Sequence, residues 1–159
     1  MPAMTPHDED SVSVDLPGGR MIIGHPEAVR PMLAAMERDQ ERRKHWPQTA
    51  SGDIDTHRAM TALAQSFPSL RDADGVDPWD GYRFLAWLCG PAPSHGMLAA
   101  GRFLLGVWNS TTDWREVARE LELEGADKCV RFDLFEAMNV WDREHSDACR
   151  HWMEWPFWP

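Results

Sequence analysis

Cysteine is scarce in this chain, with three (Cys89, Cys129 and Cys149) among 159 residues. They are too few and too scattered for a disulfide framework, and one would be left over. Reduced thiols in a cytosolic protein fit better. Long hydrophobic runs are missing too. The longest, near Gly96 to Trp108, is interrupted by Arg102 and is too short to span a bilayer. The first residues, MPAMTPHDED, hold no basic start followed by an apolar core, so no signal peptide is expected. There is no glycine-rich phosphate loop, no Walker pattern and no dinucleotide fingerprint. Base is short as well, with 16 Lys and Arg against 26 Asp and Glu. The resulting net charge of −10 is spread along the chain, which repels nucleic acid and anionic membranes unless a local basic patch prevails. The one such patch, Arg42-Arg43-Lys44 before His45, is diluted by Glu37, Asp39 and Glu41. A soluble, cytoplasmic protein is expected.

What the chain has in excess is tryptophan, nine residues against a single tyrosine. Large rings bury much area each, so a Trp-rich core or an adhesive surface is implied. At 43% apolar and 26% charged residues, the composition is that of a globular protein with one domain and a real core. The last stretch, 132–159, carries Leu134, Met138, Trp141, His145, Ala148, Trp152 and Trp155 at alternating steps of four and three. Residues so spaced share one face of an α-helix, which predicts a continuous terminal helix ended by Pro156. An aromatic tail, 156–159, follows it.

Ahead of this helix, residues 1–10 read as a disordered acidic leader. Residues 11–23 read as a β-hairpin, because SVSVDL alternates, Pro17-Gly18-Gly19 turns and RMII is apolar. Helices are expected over 26–155. The first runs from Pro26 to His45 with a polar second half. A second spans Ile54 to Phe67 with Asp53 or Asp55 as its cap. A third begins at Asp77-Pro78, and a fourth is capped by Ser94 after the Gly90-Pro91-Ala92-Pro93 break. The last two should form an antiparallel pair. Trp114, Val117, Ala118 and Leu121 mark a fifth. The fold class is mainly all-α: a single compact bundle of about five or six helices over 11–159, with a small N-terminal β-hairpin.

Four patterns invite a chemical reading. Residues 113–141 have the helix, turn, helix order of a DNA reader. The second helix would present Asp133, Glu136 and Asn139, and acid against a polyanion is the wrong sign. His145 and Cys149, four apart on one helix, suit zinc, but no second ligand pair is evident, so neither metal nor cofactor is expected. Ser94 within APSHG has the look of a nucleophile elbow, yet a helix precedes it where an elbow needs a strand. Arg38 and His45, separated by six residues, resemble in spacing the motif of all-helical HEPN-type ribonucleases. That resemblance implies a helical nuclease with those two residues in its site. The alternative is a solvated, charged helix face.

The remaining feature is the aromatic C-terminus, Trp152, Trp155, Phe157 and Trp158. These rings either plug the helical pair over 79–108 or remain exposed as an interface. The first expectation is therefore a non-enzymatic protein-interaction module whose partner is another protein or a second copy. A narrower form is an acidic inhibitor occupying a basic, nucleic-acid-binding surface of its target. The alternatives are a helix-turn-helix DNA-binding regulator over 113–141 and a small helical enzyme such as a nuclease.

Overall fold

The computed structural model describes residues 4–8, 11–16 and 18–159. The chain divides into two compact units, Met1–Lys44 and His45–Pro159, where a single domain from residue 11 was expected.

The first unit is a small sheet and one helix. Strands β1 (Met4–Asp8), β2 (Ser11–Leu16) and β3 (Arg20–Gly24) pair antiparallel in the order β1-β2-β3. The expected hairpin is β2 with β3, in the register Val14 to Ile22 and Leu16 to Arg20. Its turn uses Gly18 and Gly19 at φ +84° and +74°, a region that side chains with a Cβ rarely enter. The third strand corrects the leader: Met4–Asp8 pairs with β2. Residues 1–3, 9 and 10 of the expected leader lie outside the described residues. Pro6 is tolerated because β1 is an edge strand, where a missing N–H costs no second ladder. Helix α1 (Pro26–Lys44) follows, burying Val29. On its polar half Asp39 accepts from Arg43 Nε at 2.8 Å and from Arg42, and Glu41 pairs with Lys44.

The second unit holds helices α2 (Thr56–Ser66), α3 (Gly81–Cys89), α4 (His95–Trp108), α5 (Trp114–Glu120), α6 (Leu134–Val140) and α7 (Arg143–Glu154). Seven α-helices among the described residues make the protein mainly α, with a small N-terminal sheet. Each helix of this unit opens on an Asp or Ser whose side chain accepts a first-turn N–H: Asp55, Asp80, Ser94, Asp113, Asp133 and Asp142. Helix α3 starts at Gly81 rather than at Asp77-Pro78, because Asp80 takes the cap and Gly75 turns the chain into it. Gly75 has φ +83°, and a Cβ there would stand 2.4 Å from Phe84 N. Helices α3 and α4 form the expected pair, with Gly101 letting Leu88 approach to 2.4 Å from where a Cβ would be. The core gathers Trp46, Phe67, Phe84, Leu88, Phe103, Leu104 and Phe157.

The terminal helix is the main correction. It is broken at Trp141 and Asp142 into α6 and α7. Trp141 adopts extended backbone (φ −86°, ψ 139°) and its indole donates to Gly96 O at 3.2 Å. Asp142 then caps α7 through His145 N. The stripe therefore holds only from Trp141 onward. Leu134 and Met138, expected inside, are exposed, and α6 buries Ala137 alone.

Candidate functional site

Helix α6 is short and exposes more apolar side chains than it buries. Leu134, Phe135, Met138 and Val140 are all exposed, Phe135 to 80% and Met138 to 66%. Four exposed apolar side chains on one two-turn helix are more than the scattered single residues of an ordinary surface. A polar contact also ties the helix to α4. Arg102 on α4 sends Nε to Lys128 O at 2.8 Å and Nη1 to the Glu136 carboxylate at 3.0 and 3.1 Å.

Beside α6 runs an apolar groove of about 330 Å³, lined among others by Phe103, Phe132, Leu134, Trp152, Met153 and Trp158. Its size falls in the range of sites that take an apolar side chain or a small ligand. Met153 and Trp158 form exposed parts of this lining.

The four aromatics read as a site do not stay together. Trp152 lies 5.4 Å from Phe103 and 5.0 Å from Trp158, ring to ring, and its indole donates to Phe157 O at 3.3 Å. Trp158 is 59% exposed. These two belong to the groove. Phe157 is core, 1% exposed and edge-on to Trp46 at 4.7 Å. Trp155 stacks on His45 at 4.3 Å, and its carbonyl accepts from Trp46 Nε1 at 2.6 Å. His151 completes that cluster, 5.4 Å from His45, and its imidazole is held below the usual range by burial and by the neighbouring His45. Phe135, Met138 and Met153 were missed as surface residues. Periodicity assigned Met138 to an inward stripe of a helix that the fold interrupts.

The other patterns resolve into local structure. Arg115 and Arg119 on α5 both bind Asp127, at 2.8 and 2.9 Å, and hold its carboxyl below the usual carboxylate range. An extended connection with a 3₁₀ turn at Ala126–Lys128 separates α5 from α6. Ser94 caps α4. Arg38 lies on α1 in the first unit and His45 in the second. Cys149 Sγ lies 3.9 Å from Met153 Sδ, and burial pushes its thiol up to about 11. His145 has both ring nitrogens engaged, Nδ1 with Asp142 Oδ1 at 2.7 Å and Nε2 with Ser69 Oγ at 2.6 Å. Among the described residues no group of three or more His, Cys, Asp or Glu side chains is placed to hold a metal. Among them too, no helix is long and apolar enough to cross a membrane. No family model, curated protein or solved structure matches the chain.

Proposed function

We propose that this chain is a protein-interaction module whose docking surface is α6 together with the groove closed by Trp152, Met153 and Trp158. The observation that carries this reading is the exposure of Leu134, Phe135, Met138 and Val140 on a helix that buries only Ala137. Interfaces concentrate their energy in a few large side chains near the centre of such a patch.

The occupant is another protein that offers an apolar anchor within a basic surround. Charge complementarity supports this choice over a second copy. The net charge is −10, and residues 133–159 carry Asp133, Glu136, Asp142, Glu144, Asp147 and Glu154 against Arg143 and Arg150. Two copies would bring like charges together, whereas a basic partner gains from the same field. A nucleic-acid-binding surface of a target is a partner of this kind, with carboxylates standing in for phosphates. The pairing of Arg115 and Arg119 with Asp127 weighs against a DNA reader built on the same segment. Three free thiols favour a reducing compartment such as the cytoplasm.

The test uses an amphipathic Leu/Lys helical peptide as probe, measured by calorimetry against the full chain. Binding should weaken as salt rises. It should fall by about tenfold or more in Phe135→Asp and in Trp158→Ala, the size of effect a central interface side chain produces. Unchanged affinity in both variants, with the fold retained by circular dichroism, would remove α6 and the groove as the docking surface.

A further inference from the structure

A second feature lies apart from the groove, at the start of α7. His145 is 8% exposed, and its ring is bonded at both nitrogens, to Asp142 Oδ1 at 2.7 Å and to Ser69 Oγ at 2.6 Å. The direction of these bonds follows from the acid. Asp142 Oδ1 also accepts from His145 N at 3.0 Å, and these bonds hold its carboxyl below the usual range, so it is ionised and cannot donate. Nδ1 must therefore carry the proton. In the neutral imidazole Nε2 is then an acceptor, and the Ser69 hydroxyl donates to it. Phe67 and Trp141 flank the imidazole at 5.8 and 6.5 Å between ring centres. Ser69 itself is half-buried and Asp142 is exposed, so solvent reaches the polar end of this chain of bonds.

We propose that Ser69 is an acylation site, with His145 as its base and Asp142 as the positioning residue. Carboxylate, imidazole and hydroxyl in this order and at these distances are the arrangement that raises a serine above its ordinary reactivity. The substrate class is an ester acyl donor small enough to approach from solvent. Ser69 Oγ attacks the acyl carbon while its proton moves to Nε2. The bond to the leaving oxygen breaks, and that oxygen takes the proton from Nε2 and departs as an alcohol. Water attacks the acyl-serine by the same route, releasing a carboxylic acid and restoring Ser69.

The experiment is labelling of the full chain with a fluorophosphonate, followed by peptide mass spectrometry. The adduct is expected on Ser69, forming at least about a hundredfold faster than on the exposed Ser110, whose hydroxyl is hydrogen-bonded to no imidazole. Asp142→Asn keeps an oxygen for the helix cap but no longer imposes one tautomer, so labelling should slow and its pH profile change. His145→Gln should reduce labelling of Ser69 to that of Ser110. If His145→Gln fails to fold, the comparison of Ser69 with Ser110 and the response of Asp142→Asn still decide. Equal labelling of the two serines, or an unchanged rate in Asp142→Asn, would mean that these bonds serve only to satisfy a buried histidine, and the proposal would fall.

Discussion

Phe157 and Trp158 are adjacent and both large, yet one is enclosed by Trp46 and the core while the other faces the groove. Truncating each should separate the two roles. Phe157→Ala is expected to lower stability by about 3–5 kcal/mol, the usual cost of emptying an enclosed aromatic site. Trp158→Ala should change stability by less than about 1 kcal/mol, as surface substitutions do. Urea denaturation of both variants checks this, and similar losses in the two would contradict the assignment. The thiols test burial in another way. Cys89 and Cys129 are buried with their sulfurs 3.0 Å apart, and desolvation pushes the Cys129 thiol well above its usual range. Cys149 is raised to about 11 by the same cause. Since the thiolate is the reactive form, all three should resist iodoacetamide in the folded protein at neutral pH and react on unfolding. Rapid native alkylation of Cys129 would refute this.

At the scale of elements, the joints between helices matter more than the helices. The turn after α5 passes so close to the end of α3 that a Cβ on Gly125 would fall 1.8 Å from Cys89 O. Backbone cannot move aside as a flexible side chain can, so Gly125→Ala should destabilise by about 1–3 kcal/mol, the range for overpacking. A thermal melt indistinguishable from the parent would show that the turn relaxes freely. The α6–α7 joint carries a pH dependence of known sign. The Asp142 carboxyl lies below the usual carboxylate range because His145 donates to it from the backbone and from Nδ1. A depressed carboxyl contributes stability that is complete above the unfolded value and is lost as pH falls through the folded one. The parent's advantage over Asp142→Ala in acid denaturation should therefore hold above about pH 4–5 and shrink at lower pH. An advantage constant down to pH 2 would show that ionisation of Asp142 is not what matters. Much at this scale was legible beforehand. Ser94 after Gly90-Pro91-Ala92-Pro93 is a cap that local hydrogen bonding decides, and of the two candidates Asp53 and Asp55 it is Asp55 that caps α2. Asp142 was not legible as a cap, because the residues on both sides of it fit one stripe and an exposed Asp suits a helix surface equally well.

For the whole molecule, the division after Lys44 has a direct consequence. Among the described residues, the buried members of the core cluster run from Trp46 to Phe157, all within the second unit. A fragment of residues 45–159 should therefore keep its helical circular dichroism and an ordered near-ultraviolet tryptophan signal, and should unfold cooperatively. A fragment that lacks a cooperative transition would show that the second unit depends on the first.

Composition and spacing alone determined the helical class, the β2–β3 hairpin, the α3–α4 pair and the cap of α4, and narrowed the cap of α2 to Asp53 or Asp55. Each depends on interactions within a few residues, such as an alternation, a glycine turn or a side chain accepting from its own first turn. The third strand, the broken terminal helix, the division of the aromatic tail and the meeting of Ser69 with His145 were decided by tertiary structure. Each depends on a contact between distant segments: β1 against β2, Trp141 on Gly96, Trp46 on Phe157 and Ser69 on His145. Periodicity states which residues share a face, but what that face meets is set by the packing of the rest of the chain.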